Sequence, residues 1–225
     1  MEERYSRNIP AVSAEDMEKL RRSRVLVAGC GGLGGFIIEY FARLGIGAIT
    51  AVDGDVFCGS NQNRQLLCRE DNLGENKALA AAERVKNINP GVSVRAVPEF
   101  LTEENAAGLM ADADIVMDAL DNVGARYILE AAAEKAGLAI VHGAICGWDL
   151  QVMLADPGSG KIRQLYPEGA AAASKTSLPF TPAACAALQV SMAVRYLCGR
   201  AKDRDRDLFI GSLRDLSFEQ IHLGD

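Results

Sequence analysis

The stretch "VLVAGCGGLGGF", Val25 to Phe36, constrains the chain more than any other: an apolar run stops at a cluster of glycines and restarts as an apolar helix. A buried strand must end there, turn within a few residues and enter a helix, and glycine allows that turn while leaving backbone amides uncovered. Gly29, Gly31 and Gly34 satisfy G-x-G-x-x-G, with Gly32 inside the spacing. The first-turn amides of such a helix lack partners and carry the positive end of its dipole, so the loop suits a phosphate. The glycines alone leave three readings open: a structural tight turn, a nicotinamide or flavin site, and a site for another nucleotide.

The downstream pattern supplies the fold. "AITAVDGD" is a strand that ends in acids, with Asp53 placed 19 residues after Gly34, where a carboxylate can accept hydrogen bonds from ribose hydroxyls. "ENKALAAAERVKNI" then reads as a helix stopped at Asn89-Pro90, "VSVRAV" as a strand, and "TEENAAGLM" as a helix capped by Thr102. "DIVMDAL", "ARYILEAAAEKAG" and "LAIVHGA" continue as strand, helix and strand. This alternation predicts an α/β, doubly wound, mostly parallel Rossmann-like sheet with helices on both faces. From Trp148 the pattern changes. "WDLQVMLADPGSGKIRQLYP" reads as two strands around a turn, an antiparallel extension of the sheet, and "PEGAAAASKTSLPFT" as a crossover loop over about 167–181. "PAACAALQVSMAVRYLCG" is the last helix, opened by Pro182 and closed by Gly199, and the tail can supply two edge strands. Residues 1–225 are thus expected to form one domain: a helical arm over 1–23, opened at Ser13, a nucleotide-binding core over 24–147, and the extension over 148–225.

Composition narrows the function classes. A net charge of -6 over 225 residues argues against a large nucleic-acid footprint. The polar N-terminus has no signal-like apolar run, and no segment approaches the ~18 apolar residues of a membrane span, so a cytoplasmic protein is expected. Six cysteines lie scattered without a C-x-x-C pair, which favours reduced thiols over a disulfide framework or a zinc site.

Redox and phosphate chemistry part company in "DGDVFCGSNQNRQLLCREDNLGENK". A hydride-transfer site has no general need for an arginine and a lysine here. Attack on the α-phosphate of ATP does need cations, because charge grows on the phosphoryl oxygens and on departing pyrophosphate. Arg64 offers a planar fork and Lys77 a mobile point charge, against the bland alternative of solvated surface residues. The next strand ends "DALDN", which places Asp121 at the carboxyl edge of the sheet as a magnesium candidate, with Asp118 as a weaker partner. The alternative for Asp121 is to cap the following helix. Only His142 and His222 are present, and neither belongs to a Ser/His/Asp arrangement.

Taken in order, "RYSRNI", "GCGGLGG", "VDGD", "SNQNRQ", "LGENK", "INP", "DALDN", "HGAICGWDLQV" and "LQVSMAVRYLCG" resemble the MoeB/ThiF/HesA branch of the ubiquitin-activating-enzyme superfamily over nearly the whole chain. The resemblance implies adenylylation of the C-terminal Gly-Gly of a small ubiquitin-like sulfur carrier of the ThiS or MoaD type, with ATP and Mg2+ as cofactors. It implies the glycine loop for phosphates, Asp53 and Asp55 on the ribose side, and Asn61, Arg64, Gln65 and Lys77 for the phosphate end. Asp121 falls to magnesium, with Asn122 beside it. Arg7 matches an arginine that reaches the neighbouring subunit's ATP site, which implies a homodimer.

Two departures stand out. Many relatives hold a zinc with two C-x-x-C pairs, and here those places read "KIRQLYP" and "FEQIHLGD", so no zinc is expected. The loop over 167–181 lacks the cysteine that relatives often carry, and Cys185 beyond it reads as a buried thiol. Activation by adenylylation is expected, with sulfur delivered by another protein such as a cysteine desulfurase. The alternatives are an enzyme like the ATP-dependent tRNA threonylcarbamoyladenosine dehydratases, an NAD-dependent oxidoreductase, and a non-catalytic nucleotide-binding adaptor.

Overall fold

In β1 (Arg24–Ala28) the side chains alternate between two apolar clusters, Val25 and Val27 on one face, Leu26 and Ala28 on the other, and all four are buried. A strand buried on both faces has to be covered by helices on both sides. One side is covered by α2 (Gly32–Leu44), α3 (Lys77–Ile88) and α7 (Phe180–Leu197), with Leu20 of α1 (Ala14–Arg22) beneath them. The other carries α4 (Glu103–Met110), α5 (Val123–Ala136) and the short α6 (Lys161–Leu165). This computed structural model describes residues 3–169 and 176–224.

The sheet has eight strands in the order β3 (Ser93–Val97), β2 (Ala48–Val52), β1, β4 (Ile115–Asp118), β5 (Ile140–Cys146), β6 (Asp149–Ala155), β7 (Leu208–Ser212), β8 (Ser217–Ile221). The first five are parallel, and β6 to β8 extend the sheet antiparallel. The doubly wound sheet, its antiparallel extension and the two edge strands of the tail therefore stand as read from the sequence. The strand order reverses about β1, with β2 and β3 laid down on one side and β4 and β5 on the other, and such switch points open a crevice at the carboxyl ends of the strands. Ala28 lies level with Val52 and with Asp118, so Gly29, Asp53 and Ala119 all emerge at that edge.

Local signals set several boundaries. Ser13 Oγ accepts the Asp16 amide at 3.1 Å to start α1, Thr102 caps α4, and α5 ends at Gly137 in the left-handed region. Gly45 closes α2 at φ 84°, where a Cβ would stand 2.6 Å from the Tyr5 ring. The last helix starts at Phe180, two residues before Pro182.

One element differs. "KIRQLYP" is not the second strand of a hairpin, because Lys161–Leu165 forms α6 and β6 pairs with β7 instead. The cause lies far away in sequence: the buried Glu130 carboxylate of α5 accepts the Ile162 amide at 2.8 Å and the Arg163 amide at 3.2 Å, capping the helix, while Ile162 fills the core. Residues 170–175 of the expected crossover loop lie outside the described residues. Beyond them, Gly147 donates to Thr176 O at 2.8 Å, and Asn63 donates to Ser177 O at 3.1 Å, so residues 176–177 are tied to the β5–β6 turn and to the segment that follows β2.

Candidate active site

The glycine loop is shaped by steric necessity. Gly29 sits at φ 94°, and a Cβ there would meet Ala119 O at 2.6 Å; a Cβ on Gly34 would stand 1.8 Å from Gly29 O. Side chains at either place would force the loop and the helix apart. Gly31, the N-cap of α2, has no side chain to satisfy the first-turn amides, and Gly32 begins the helix. A thirteen-residue helix thus presents its bare N-terminus at the switch point. Against Gly31 packs the Gln65 side chain, 7% exposed, whose Oε1 is buried without a partner. An uncapped cradle and an orphaned acceptor fit a polar ligand such as a nucleotide.

Asp53 joins this loop to β2: its Oδ2 accepts the Cys30 amide at 2.7 Å and its Oδ1 the Asp55 amide at 2.9 Å. Burial pushes its carboxyl above the ordinary range, and the amide bonds and Lys77 offset only part of that. Lys77, 6% exposed at the first position of α3, places Nζ 2.5 Å from Asp55 Oδ2. That contact holds the Asp55 carboxyl below its usual value. Asn76 caps α3 and also donates to Asp53 O and Asp55 O, which fixes both acids relative to the helix. Asn61 is buried and accepts the Cys58 amide at 3.1 Å, so it braces its own turn. Half-buried Arg64 donates to Ser60 O at 2.8 Å and Asn63 Oδ1 at 3.0 Å. Gly29 to Gly34, Asp53, Asp55, Gln65 and Lys77 therefore share one end of the sheet.

Exposed Asp121 follows β4 at the same edge, and it is Asn122, accepting the Ala125 amide at 2.7 Å, that caps α5. Asp118 is fully buried and committed inside the protein: Oδ2 to Arg126 Nε at 3.1 Å and His142 Nδ1 at 2.7 Å, Oδ1 to the Leu120 amide at 3.0 Å. Burial alone would raise its pKa, but Arg126 and these hydrogen bonds outweigh it and leave the carboxyl below the ordinary range. Both of its oxygens already have partners within the protein. Arg7 lies elsewhere. Its 3-10 helix, Glu3–Asn8, docks through Tyr5 on Gly45 and through Arg4 and Tyr5 on Asn89, at the far end of α2. That end is about 20 Å from the glycine loop at 1.5 Å per residue.

Residues 5–223 match the ThiF family model. The chain belongs to the ThiF family. The SAMP-activating enzyme E1 of Haloferax volcanii is 34% identical over 97% of this chain and 84% of its own length. The sulfur carrier protein adenylyltransferase of Thermus thermophilus is 34% identical over 97% of this chain and 86% of its own. Among solved structures, the ATP complex of the E. coli tRNA N6-threonylcarbamoyladenosine dehydratase TcdA superposes with a TM-score of 0.74 at 28% identity, covering 88% of this chain and 94% of that one. E. coli MccB with ATP shares the fold, with a TM-score of 0.81 at 20% identity over 100% of this chain and 72% of its own. This ThiF-family chain is an enzyme of the adenylyltransferase kind, which leaves no place for the oxidoreductase and adaptor readings.

The polar centre behind the ThiF-family crevice was not visible in the sequence. Arg126, one turn into α5, spans Asp118 and Leu120 O, and Gln189 of α7 donates to Asp118 O at 2.9 Å and Val141 O at 3.1 Å. A Cβ on Gly143 would fall 2.3 Å from Gln189 Cδ, so that glycine makes room for the contact. Cys185 is buried beside them, and burial pushes its thiol far up, out of the nucleophilic range. Among the described residues no helix is long and apolar enough to cross a membrane.

Proposed function

We propose that the chain transfers AMP from ATP to the C-terminal Gly-Gly carboxylate of a small ubiquitin-like sulfur-carrier protein of the ThiS or MoaD type. The observation that carries this reading is the pairing of an uncapped glycine cradle with Arg64 and Lys77, cations that hydride transfer does not require. A carboxylate oxygen attacks the α-phosphorus, the bond to the bridging oxygen breaks, and pyrophosphate leaves with the electron pair. The attacking group is already ionised, so the site needs no strong base, and catalysis rests on positioning and charge stabilisation. The first-turn amides of α2 face the phosphates, and Asp53 faces the ribose. Lys77 exchanges Asp55 for phosphate oxygens, beside Arg64.

Asp121 is the residue we assign to Mg2+. It is an exposed carboxylate that follows β4 at the carboxyl edge of the sheet, and magnesium suits such a place, since it takes one or two carboxylates together with phosphate oxygens and water. When bound, it neutralises charge growing on the phosphates. Arg7, docked about 20 Å from its own glycine loop, serves the site of a neighbouring copy in a homodimer. The carrier tail approaches past the cavity of about 260 Å3 bordered by Trp148, Thr176 and Arg214. Sulfur arrives from a separate donor such as a cysteine desulfurase, in the cytoplasm, and the reading invokes no zinc, since "KIRQLYP" and "FEQIHLGD" carry no cysteine.

A second reading, activation of a small carboxylate on tRNA, has the TcdA likeness in its favour. Exchange of labelled pyrophosphate into ATP separates the two. Exchange that depends on a Gly-Gly-ended carrier and falls with Arg64→Ala or Lys77→Ala supports the proposal, exchange that depends on tRNA supports the second reading, and no exchange with either removes both.

A further inference from the structure

Tyr166 and His142 tie the end of α6 to the turn that carries Asp121, and the reaction proposed above gives neither of them a task. His142, on β5, is fully buried, with Nδ1 2.7 Å from Asp118 Oδ2. Its Nε2 lies 3.2 Å from the Tyr166 hydroxyl and 3.1 Å from the Gln151 amide nitrogen. Burial, more than its neighbours, holds the imidazole below its ordinary range, so the ring is neutral. An ionised carboxylate only accepts, hence Nδ1 carries the proton and Nε2 accepts from Tyr166 and Gln151. The Tyr166 hydroxyl accepts in turn from Gln151 at 2.7 Å and donates to His142.

The same residues meet Arg126 from another side. Its guanidinium lies 4.8 Å from the centroid of the Tyr166 ring, while Nε donates to Asp118 and Nη2 donates to Leu120 O at 2.6 Å. Asp118 Oδ1 accepts the Leu120 amide. Both backbone groups of Leu120, the residue before Asp121, are therefore held by the Asp118–Arg126 pair, and His142 and Tyr166 hold that pair from behind. The geometry points to Tyr166 and His142 as positioning residues that set the placement of Asp121 through Asp118 and Arg126. Outer partners of this kind tune ion affinity without touching the ion. The inference rests on the assignment of Asp121 to the magnesium and ATP site.

The test uses the full chain and two readouts: calorimetric ATP binding across a magnesium series and in EDTA, and amide hydrogen exchange at Leu120 in the ligand-free protein. Tyr166→Phe, which removes one hydroxyl, raises the magnesium concentration for half-saturation about threefold, and His142→Ala raises it roughly tenfold. Affinity in EDTA shifts far less, and Leu120 exchanges faster in both variants. His142→Asn, whose amide nitrogen stands where Nδ1 stood and can still donate to Asp118, recovers most of the effect. In an Asp121→Asn background neither substitution adds further loss. Unchanged magnesium dependence in folded Tyr166→Phe, equal losses with and without magnesium, or full additivity with Asp121→Asn overturns the inference while leaving the adenylyltransferase reading intact. Wild-type protein that binds ATP no better with magnesium than in EDTA overturns the inference together with the assignment of Asp121 to magnesium.

Discussion

Replacing Arg126 by methionine exposes how much of this fold depends on one buried charge pair. Asp118 has no exposed surface and keeps its charge because Arg126 Nε, His142 Nδ1 and the Leu120 amide face it. Arg126→Met keeps the length and apolar bulk of the side chain but leaves a carboxylate without a counter-charge and Leu120 O without its donor. Breaking such a pair from one side costs about 3–5 kcal/mol, or roughly 6–20 °C in Tm for a chain of this size. The sign of the pH effect follows from Asp118. In the wild type its pKa is depressed, so it contributes stability above the unfolded value of about 3.9 and loses it as pH falls through the folded value. Without Arg126, burial dominates, the folded pKa rises above the unfolded one, and the variant is penalised as pH climbs. The gap between the proteins is widest near neutrality and narrows toward acid. Urea unfolding at neutral and mildly acidic pH, compared by midpoint at unchanged slope, reads this directly. The double variant Asp118→Asn with Arg126→Met, which removes both charges, recovers a large part of the loss. A deficit under about 1 kcal/mol at neutral pH, a gap that ignores pH, or a double variant no more stable than the single one refutes the reasoning.

Other expectations follow from single contacts. Gly34→Ala puts a Cβ 1.8 Å from Gly29 O and abolishes ATP binding by calorimetry, whereas Gly108→Ala, in α4 with nothing within 4 Å, raises stability by about 0.5–1 kcal/mol in urea. Lys77→Ala separates structure from function: its partner Asp55 is largely solvated, so stability falls by about 1 kcal/mol or less, while pyrophosphate exchange drops roughly 10²–10³-fold. In native protein iodoacetamide labels exposed Cys58, whose thiol is held low chiefly by the Ser60 hydroxyl, and leaves Cys185 untouched until denaturant is added; mass spectrometry of the labelled peptides reports the order.

What the sequence revealed and concealed divides by the range of the interactions. Strand β1, the glycine turn and helix α2 are local events within twenty-one residues, so Val25 to Phe36 announces them, as Ser13, Thr102 and Gly137 announce helix ends. The helix over Lys161–Leu165 was hidden because its cap is Glu130, 32 residues earlier. In the site, the cradle and the cationic flank were legible, since phosphate chemistry asks for those residue types near the first two strands. Their present partners were not: Lys77 rests on Asp55, 22 residues away, and Asp118 faces inward because Arg126 and His142, 8 and 24 residues away, meet it there. Asn122 caps α5 where Asp121 was the candidate, a choice decided by one residue of backbone register.

A protein carboxylate that receives AMP in this crevice becomes an acyl-adenylate, which can be trapped. Hydroxylamine converts an acyl-adenylate into a hydroxamate, so intact-mass analysis of a Gly-Gly-ended carrier after incubation with enzyme, ATP, magnesium and hydroxylamine tests the transfer directly. The expected product is a hydroxamate on the C-terminal glycine that requires ATP and is lost with Lys77→Ala. A carrier recovered unmodified while ATP is still turned over to AMP and pyrophosphate contradicts the transfer.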